Sequence, residues 1–196
     1  VTRTLMAVEM AQHRAGLYAP CYGTFGGAGL AQLFEATDEQ KDKYLYPTLR
    51  GEKRGFFGLS EPSGGSDPAR AIQTKAVQDG DDWIINGGKL WISGADKAQY
   101  GLVFARTAND KGRNGVTCFI VDTDTPGFAV RRIVHTLRSA HYATELSFEE
   151  MRVPASNILG ELNKGFAIAN DRLTKQRIPY AAGCIGVAIK AQEMAL

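Results

Sequence analysis

The spacing of apolar residues changes twice along this chain, and those two changes limit the fold more than any single residue does. Near the start, Leu5, Val8, Met10, Ala11, Ala15 and Leu17 recur at helical intervals, with polar residues between them. From Gly55 to Pro154 the apolar residues alternate as strands do, and over 163–196 the helical period returns. The expected fold class is therefore α+β. A helical layer covers 1–54, an antiparallel β-barrel or sandwich covers 55–154, and a long helix in 155–196 opens a further helical domain.

Local signals refine this outline. Residues 21–29 are small and glycine-rich, which reads as a break or a tightly packed helix start, and 30–35 resume a helical pattern. Thr37-Asp38-Glu39-Gln40 fits a capping box, in which the Thr hydroxyl and the Gln side chain each satisfy an orphan backbone donor. The next short helix is expected to end near Pro47-Thr48-Leu49-Arg50-Gly51. Strands are expected at 71–77, 82–85, 89–93, 100–106, 116–122, 128–134 and 144–148. Asp79-Gly80 and Asn86-Gly87 are expected to form hairpin turns, because tight turns need positive φ. Pro179 should kink the last helix by removing one backbone hydrogen bond.

Composition narrows the function classes. A net charge of +2 on 196 residues gives no basis for nucleic-acid or anionic-membrane binding. No apolar run has the length of a membrane-spanning helix, and nothing at residue 1 reads as a signal peptide, so a membrane or secreted role is not expected. Cys21, Cys118 and Cys184 are scattered without ligand spacing, which suits buried thiols in a reducing compartment. His13, His135 and His141 share no metal-like spacing, and no metal site is expected. Glu149 and Glu150 read as solvated, and Arg113, Arg131, Arg132 and Arg138 as scattered surface charges.

Two stretches carry candidate chemistry. Phe57-Gly58-Leu59-Ser60-Glu61-Pro62-Ser63-Gly64-Gly65-Ser66-Asp67 runs from a short apolar strand into a glycine-rich loop. Backbone N–H groups in such a loop suit an anion or a heteroaromatic edge. Trp91-Ile92-Ser93-Gly94 places a flat aromatic two residues from a hydroxyl, on one face of a strand. Asp67 is expected to fix the loop by accepting backbone N–H bonds. Trp83, on a neighbouring strand of the expected hairpin, reads as a core residue.

These two motifs, with Phe148-Glu149-Glu150-Met151-Arg152-Val153-Pro154 and Gly165-Phe166-Ala167-Ile168-Ala169, resemble the acyl-CoA dehydrogenase family over nearly the whole chain. The resemblance implies FAD as cofactor, with the backbone at Phe57 and Leu59 and both the N–H and hydroxyl of Ser60 along the flavin's pyrimidine edge. It places Trp91 on the ring, Ile92 beside it, and the Ser93 hydroxyl near the hydride-accepting N5. It implies that Ser66, Thr174 and Arg177 meet an acyl-CoA substrate. Two positions depart from the family pattern: Arg70 replaces a small residue, and Thr174 replaces an Asp. Gln176 stands where a minority of members carry the catalytic Glu, and an amide cannot act as that base. No catalytic residue is therefore expected in this stretch.

Members are roughly twice this length, so both helical ends are expected to lie inside a longer protein whose C-terminal part carries the base. The resemblance also implies α,β-dehydrogenation of an acyl-CoA in fatty acid metabolism. Electron-transfer flavoprotein would be the acceptor, and the protein a homotetramer in the bacterial cytoplasm or the mitochondrial matrix. Two alternatives remain open: a flavin oxidase or monooxygenase of the same fold that uses no CoA, and a non-catalytic acyl-CoA-binding relative.

Overall fold

A computed structural model describes residues 2–12, 31–109, 113–135 and 143–196. The expectations at His13, Cys21, Arg138 and His141 and the glycine-rich break at 21–29 lie outside them. The chain divides into two compact units, 1–27 with 170–196, and 28–169. Helix α1 (Thr2–Ala11) belongs to the first.

The larger unit opens with a 3₁₀ turn, Ala31–Glu35, where a helix was expected. Thr37 then caps α2 (Asp38–Gln40) with the expected reciprocal bonds. A π turn, Lys41–Leu45, runs on into α3 (Tyr46–Leu49). The buried Gln40 side chain also donates to the Ser156 and Ile158 carbonyls at 2.8 and 2.9 Å, which ties this helical segment to the far end of the sheet.

The strands follow as β1 (Gly55–Gly58), then the short α4 (Pro68–Ala71), then β2 (Lys75–Asp79) and β3 (Asp82–Ser93). Next come β4 (Tyr100–Arg106), β5 (Val116–Asp122), β6 (Phe128–Val134), β7 (Ala143–Pro154) and β8 (Ile158–Leu159). The sheet order is β6-β7-β3-β2-β4-β5-β8, with β1 alongside β4. Most pairings are antiparallel. The exceptions are β1 on β4, with Gly55 opposite Tyr100, and a single parallel contact of β2 with β4.

Asp79-Gly80 makes the expected turn between β2 and β3. Asn86-Gly87 does not. β3 runs unbroken through it for twelve residues, paired along its length with β7. Gly87 (φ +144°) instead meets Thr74, since a Cβ there would sit 2.7 Å from the Thr74 Cα. That glycine permits a close approach of two backbones. Trp83 and Trp91 consequently share one strand.

Two apolar layers hold this unit. Leu102 and Phe104 of β4 and Cys118 and Ile120 of β5 face the helical segment through Leu33, Tyr44 and Leu45. Val103, Ala105, Phe119 and Val121 on the opposite faces pack with Trp83, Ile85, Phe148 and Met151. Strands β4 and β5 are covered on both sides, which is why they read as continuous apolar runs. Burial raises the Cys118 thiol well above its ordinary value, so it is inert. Cys184, expected to be buried, is exposed.

Helix α5 (Gly165–Ala195) begins in this unit and continues into the smaller one, with Pro179 inside it. A Cβ on Gly186 would lie 2.2 Å from the Val8 carbonyl oxygen, so glycine allows α5 and α1 to close on each other.

Candidate functional site

The loop after β1 is built around Glu61. Its carboxylate accepts the N–H of Gln73 at 2.6 Å and of Thr74 at 3.1 Å, which closes the 61–74 segment at its base. Within that segment the Ser63 hydroxyl donates to the Ala71 carbonyl at 2.8 Å. Asp67 does not have the role expected of it. Its carboxylate faces the Arg70 guanidinium at 3.4 Å, while its backbone carbonyl accepts the N–H groups of Arg70 and Ala71 to start α4. Glu61 is the acidic residue that holds the loop by backbone N–H bonds.

Glu61 is itself held by Lys89 of β3, whose Nζ lies 2.6 Å from Oε1. The ammonium also donates to the Phe104 carbonyl at 2.6 Å and the Leu59 carbonyl at 3.4 Å. Both side chains are buried, Lys89 completely. Burial pushes the Glu61 carboxyl up. The adjacent ammonium and the bonds from Lys89, Thr74 and Gln73 outweigh that and hold it below the ordinary carboxylate value. For Lys89 burial dominates and lowers the ammonium, with Glu61 opposing.

One residue before Glu61 and one after Lys89, the Leu90 N–H donates to the Ser60 carbonyl at 3.0 Å. This bond brings the two sequence motifs together, with Ser60 on one side and Trp91 on the other. Between Lys89 and Ile92 the pairing of β3 with β7 slips by one residue, and Trp91 takes φ +64° there. It is a β-bulge, with the extra residue on β3. The bulge reverses the alternation: Lys89 and Ile92 point inward, while Trp91 and Ser93 point outward. The Trp91 indole is 56% exposed. Thr144 locks the arrangement by donating its hydroxyl to the Ile92 carbonyl at 2.8 Å.

Of the expected cofactor residues, Ser60, Trp91 and Ser93 thus lie together at one exposed end of β3. Phe57 is half-buried against Phe104, with ring centroids 4.9 Å apart, and Leu59 and Ile92 turn their side chains into the core. Ser66 is exposed on the same loop as Ser60. Thr174 and Arg177 are exposed and Gln176 half-buried on the part of α5 in the other unit. Among the described residues, the hydroxyls of Ser60, Ser66 and Ser93 have no hydrogen-bond partner. An exposed indole beside free hydroxyls fits a planar heteroaromatic group such as a flavin.

The sequence reading missed Glu61 and Lys89. The available signal was a lysine in the inward phase of a strand, in step with Trp83 and Ile85. A cleft of about 230 Å³ opens over the Gly87–Gly88 pair, lined by Pro62, Lys89, Arg131, Glu145 and Ser147 among others. Trp91 and Ser93 are not part of it, and Arg131 and Arg132 are paired with Glu149 and Glu145. Glu150 accepts from the Asn86 amide at 2.6 Å. These groups are surface charges, as expected.

Residues 56–151 match the family described as acyl-CoA dehydrogenase, middle domain. The short-chain-specific acyl-CoA dehydrogenase of Clostridium acetobutylicum is 42% identical over 153 residues, 78% of this chain and 40% of that one. The structure of butyryl-CoA dehydrogenase from Megasphaera elsdenii superposes with a TM-score of 0.84 at 35% identity, covering 96% of this chain and 49% of that one. A glutaryl-CoA dehydrogenase from Mycobacterium smegmatis, solved in complex with FADH2, gives 0.74 at 34% identity over 85% and 42%. The chain spans about half the length of the curated relatives it matches. An antiparallel-rich middle sheet, a long helix after it and the two motifs joined at Ser60 and Leu90 agree with these matches, and the chain belongs to the acyl-CoA dehydrogenase family.

Proposed function

We propose that the full-length protein is an FAD-dependent acyl-CoA dehydrogenase that oxidises a thioester between Cα and Cβ. The observation that supports this reading is the Ser60–Leu90 backbone bond, which joins the loop motif to the strand next to the exposed Trp91. Trp91 packs on the flavin ring, Ile92 backs it from the core, and the Ser93 hydroxyl bonds to the ring. Ser60, with the backbone at Phe57 and Leu59, meets its polar edge. Bound FAD supplies the acceptor for the hydride that leaves Cβ.

Ser66 contacts the acyl-CoA and helps to orient it, so the two reacting carbons meet the ring without a bimolecular search; a substrate role for Thr174 and Arg177 is carried by the family resemblance alone. A carboxylate outside this stretch takes the α-proton, since Gln176 has no basic lone pair of that kind. Electron-transfer flavoprotein is the acceptor, and a homotetramer is the assembly, both as the family resemblance implies.

An anaerobic visible spectrum of the full-length protein, taken before and after adding a panel of acyl-CoAs, tests the reading. A flavin band bleached by one chain length supports it and names the substrate class. A flavin band that no acyl-CoA bleaches favours an oxidase or monooxygenase. Protein that holds no flavin after reconstitution with FAD would leave an acyl-CoA-binding module.

A further inference from the structure

Glu61 and Lys89 are the most deeply buried ion pair among the described residues, and neither has a part in the reaction proposed above. Taking two charges out of water is costly, and well-packed apolar side chains often serve stability as well or better. The placement of the pair points to a different use. Lys89, on β3, reaches two further segments, the loop after β1 through Glu61 and the Leu59 carbonyl and β4 through the Phe104 carbonyl. Glu61 reaches a fourth segment through the N–H groups of Gln73 and Thr74.

Immediately beside this junction lie Ser60 and Leu90, bonded to each other, and then Trp91. Trp91 occupies a left-handed backbone conformation that a bulky residue adopts only where its neighbours over-determine it. On one side Thr144 holds the Ile92 carbonyl, and on the other Lys89 is anchored in the core.

We propose that the Glu61–Lys89 pair is a positioning device. It sets the bulge at Trp91, and so fixes the indole ring relative to Ser60 as two walls of one binding surface. Without the pair, the segment entering the bulge loses its anchor. Trp91 then relaxes towards negative φ, and the ring leaves its place beside Ser60. The identity of the ligand as a flavin rests on the proposed function; the positioning of Trp91 does not.

The test uses full-length protein labelled with 5-fluorotryptophan, with the Trp91 ¹⁹F resonance assigned by its loss in Trp91→Phe. The double variant Glu61→Gln/Lys89→Met removes both charges together, so no lone buried charge remains. Folded double variant is expected to show a shifted or broadened Trp91 resonance and at least tenfold weaker FAD binding. An unchanged Trp91 resonance in a double variant that melts cooperatively would overturn the proposal. Should the double variant not fold, Glu61→Asp keeps both charges and shortens the reach by one methylene, and the same two outcomes apply to it. Wild-type protein that binds no FAD would sink the flavin reading alone, because the Trp91 resonance read without ligand still decides the positioning.

Discussion

Trp83 and Trp91 stand on the same strand, eight residues apart, and meet opposite surroundings. Trp83 is 5% exposed and tilts against Phe119 at a centroid separation of 5.8 Å. Trp91 is 56% exposed. An even separation on a regular strand would put both rings on one face. The extra residue between Lys89 and Ile92 reverses the phase, so one tryptophan completes a core and the other stands exposed. The strand therefore does two jobs, and the buried lysine lies close to the point where it changes from one to the other.

Replacing each ring in turn should separate these jobs. Trp83→Ala is expected to cost about 3–5 kcal/mol of stability, as large-to-small changes in a packed core do. Trp91→Ala should change stability by no more than about 0.5 kcal/mol, as at an exposed site, while flavin content and reduction fall. Paired denaturation curves and flavin titrations would check both. Equal destabilisation by the two, or unchanged flavin binding in Trp91→Ala, would break the comparison.

Lys89→Met should be nearly as damaging as Trp83→Ala. It leaves the Glu61 carboxylate buried without its cation, a situation that costs about 3–5 kcal/mol, measurable by urea unfolding. The same pair predicts a pH dependence. The folded Glu61 carboxyl lies below its ordinary value, so its contribution is fully present above the unfolded carboxylate value of about 4.3. That contribution is lost as pH falls through the lower folded value. Unfolding curves between neutral pH and pH 3 should therefore show the wild type losing its margin over Glu61→Gln towards the acid end.

Smaller changes probe the irregular parts of the strand. Gly87→Ala forces a Cβ towards the Thr74 backbone at a positive φ and should cost about 1–3 kcal/mol. Thr144→Val keeps the shape and removes the bond to the Ile92 carbonyl, for about 1 kcal/mol. A calorimetric scan reads either loss. If the bulge depends on that bond, the Thr144→Val change should also loosen flavin binding, which the Gly87→Ala change need not do.

The class of fold was legible because periodicity is local. The switch from helical to alternating spacing at Gly55 and back after Pro154 marks the β region, and the Thr37 capping box appears as read. The motifs were legible for a related reason, since Ser60, Trp91 and Ser93 announce themselves by residue type and neighbours. Asn86-Gly87 shows where local reading stops. The dipeptide suits a hairpin turn, yet β7 pairs with β3 on both sides of it, and the chain passes through with a register shift instead of turning back. A turn signal is worth a few tenths to one kcal/mol of local preference, and a full ladder of cross-strand bonds and packed side chains overrides it.

Residue order alone determined that this chain has helical and β parts, and that an aromatic and two hydroxyls stand ready at its strand ends. Their meeting was decided in three dimensions. Glu61 and Lys89 are twenty-eight positions apart, and nothing in the residues around either one names the other as its partner. Their pairing exists only because β1, β3 and β4 converge around them and exclude water, which makes an unpaired charge there far more costly than a paired one. The outward turn of Trp91 depends in the same way on a one-residue slip against β7, which the residues of β3 read by themselves do not reveal.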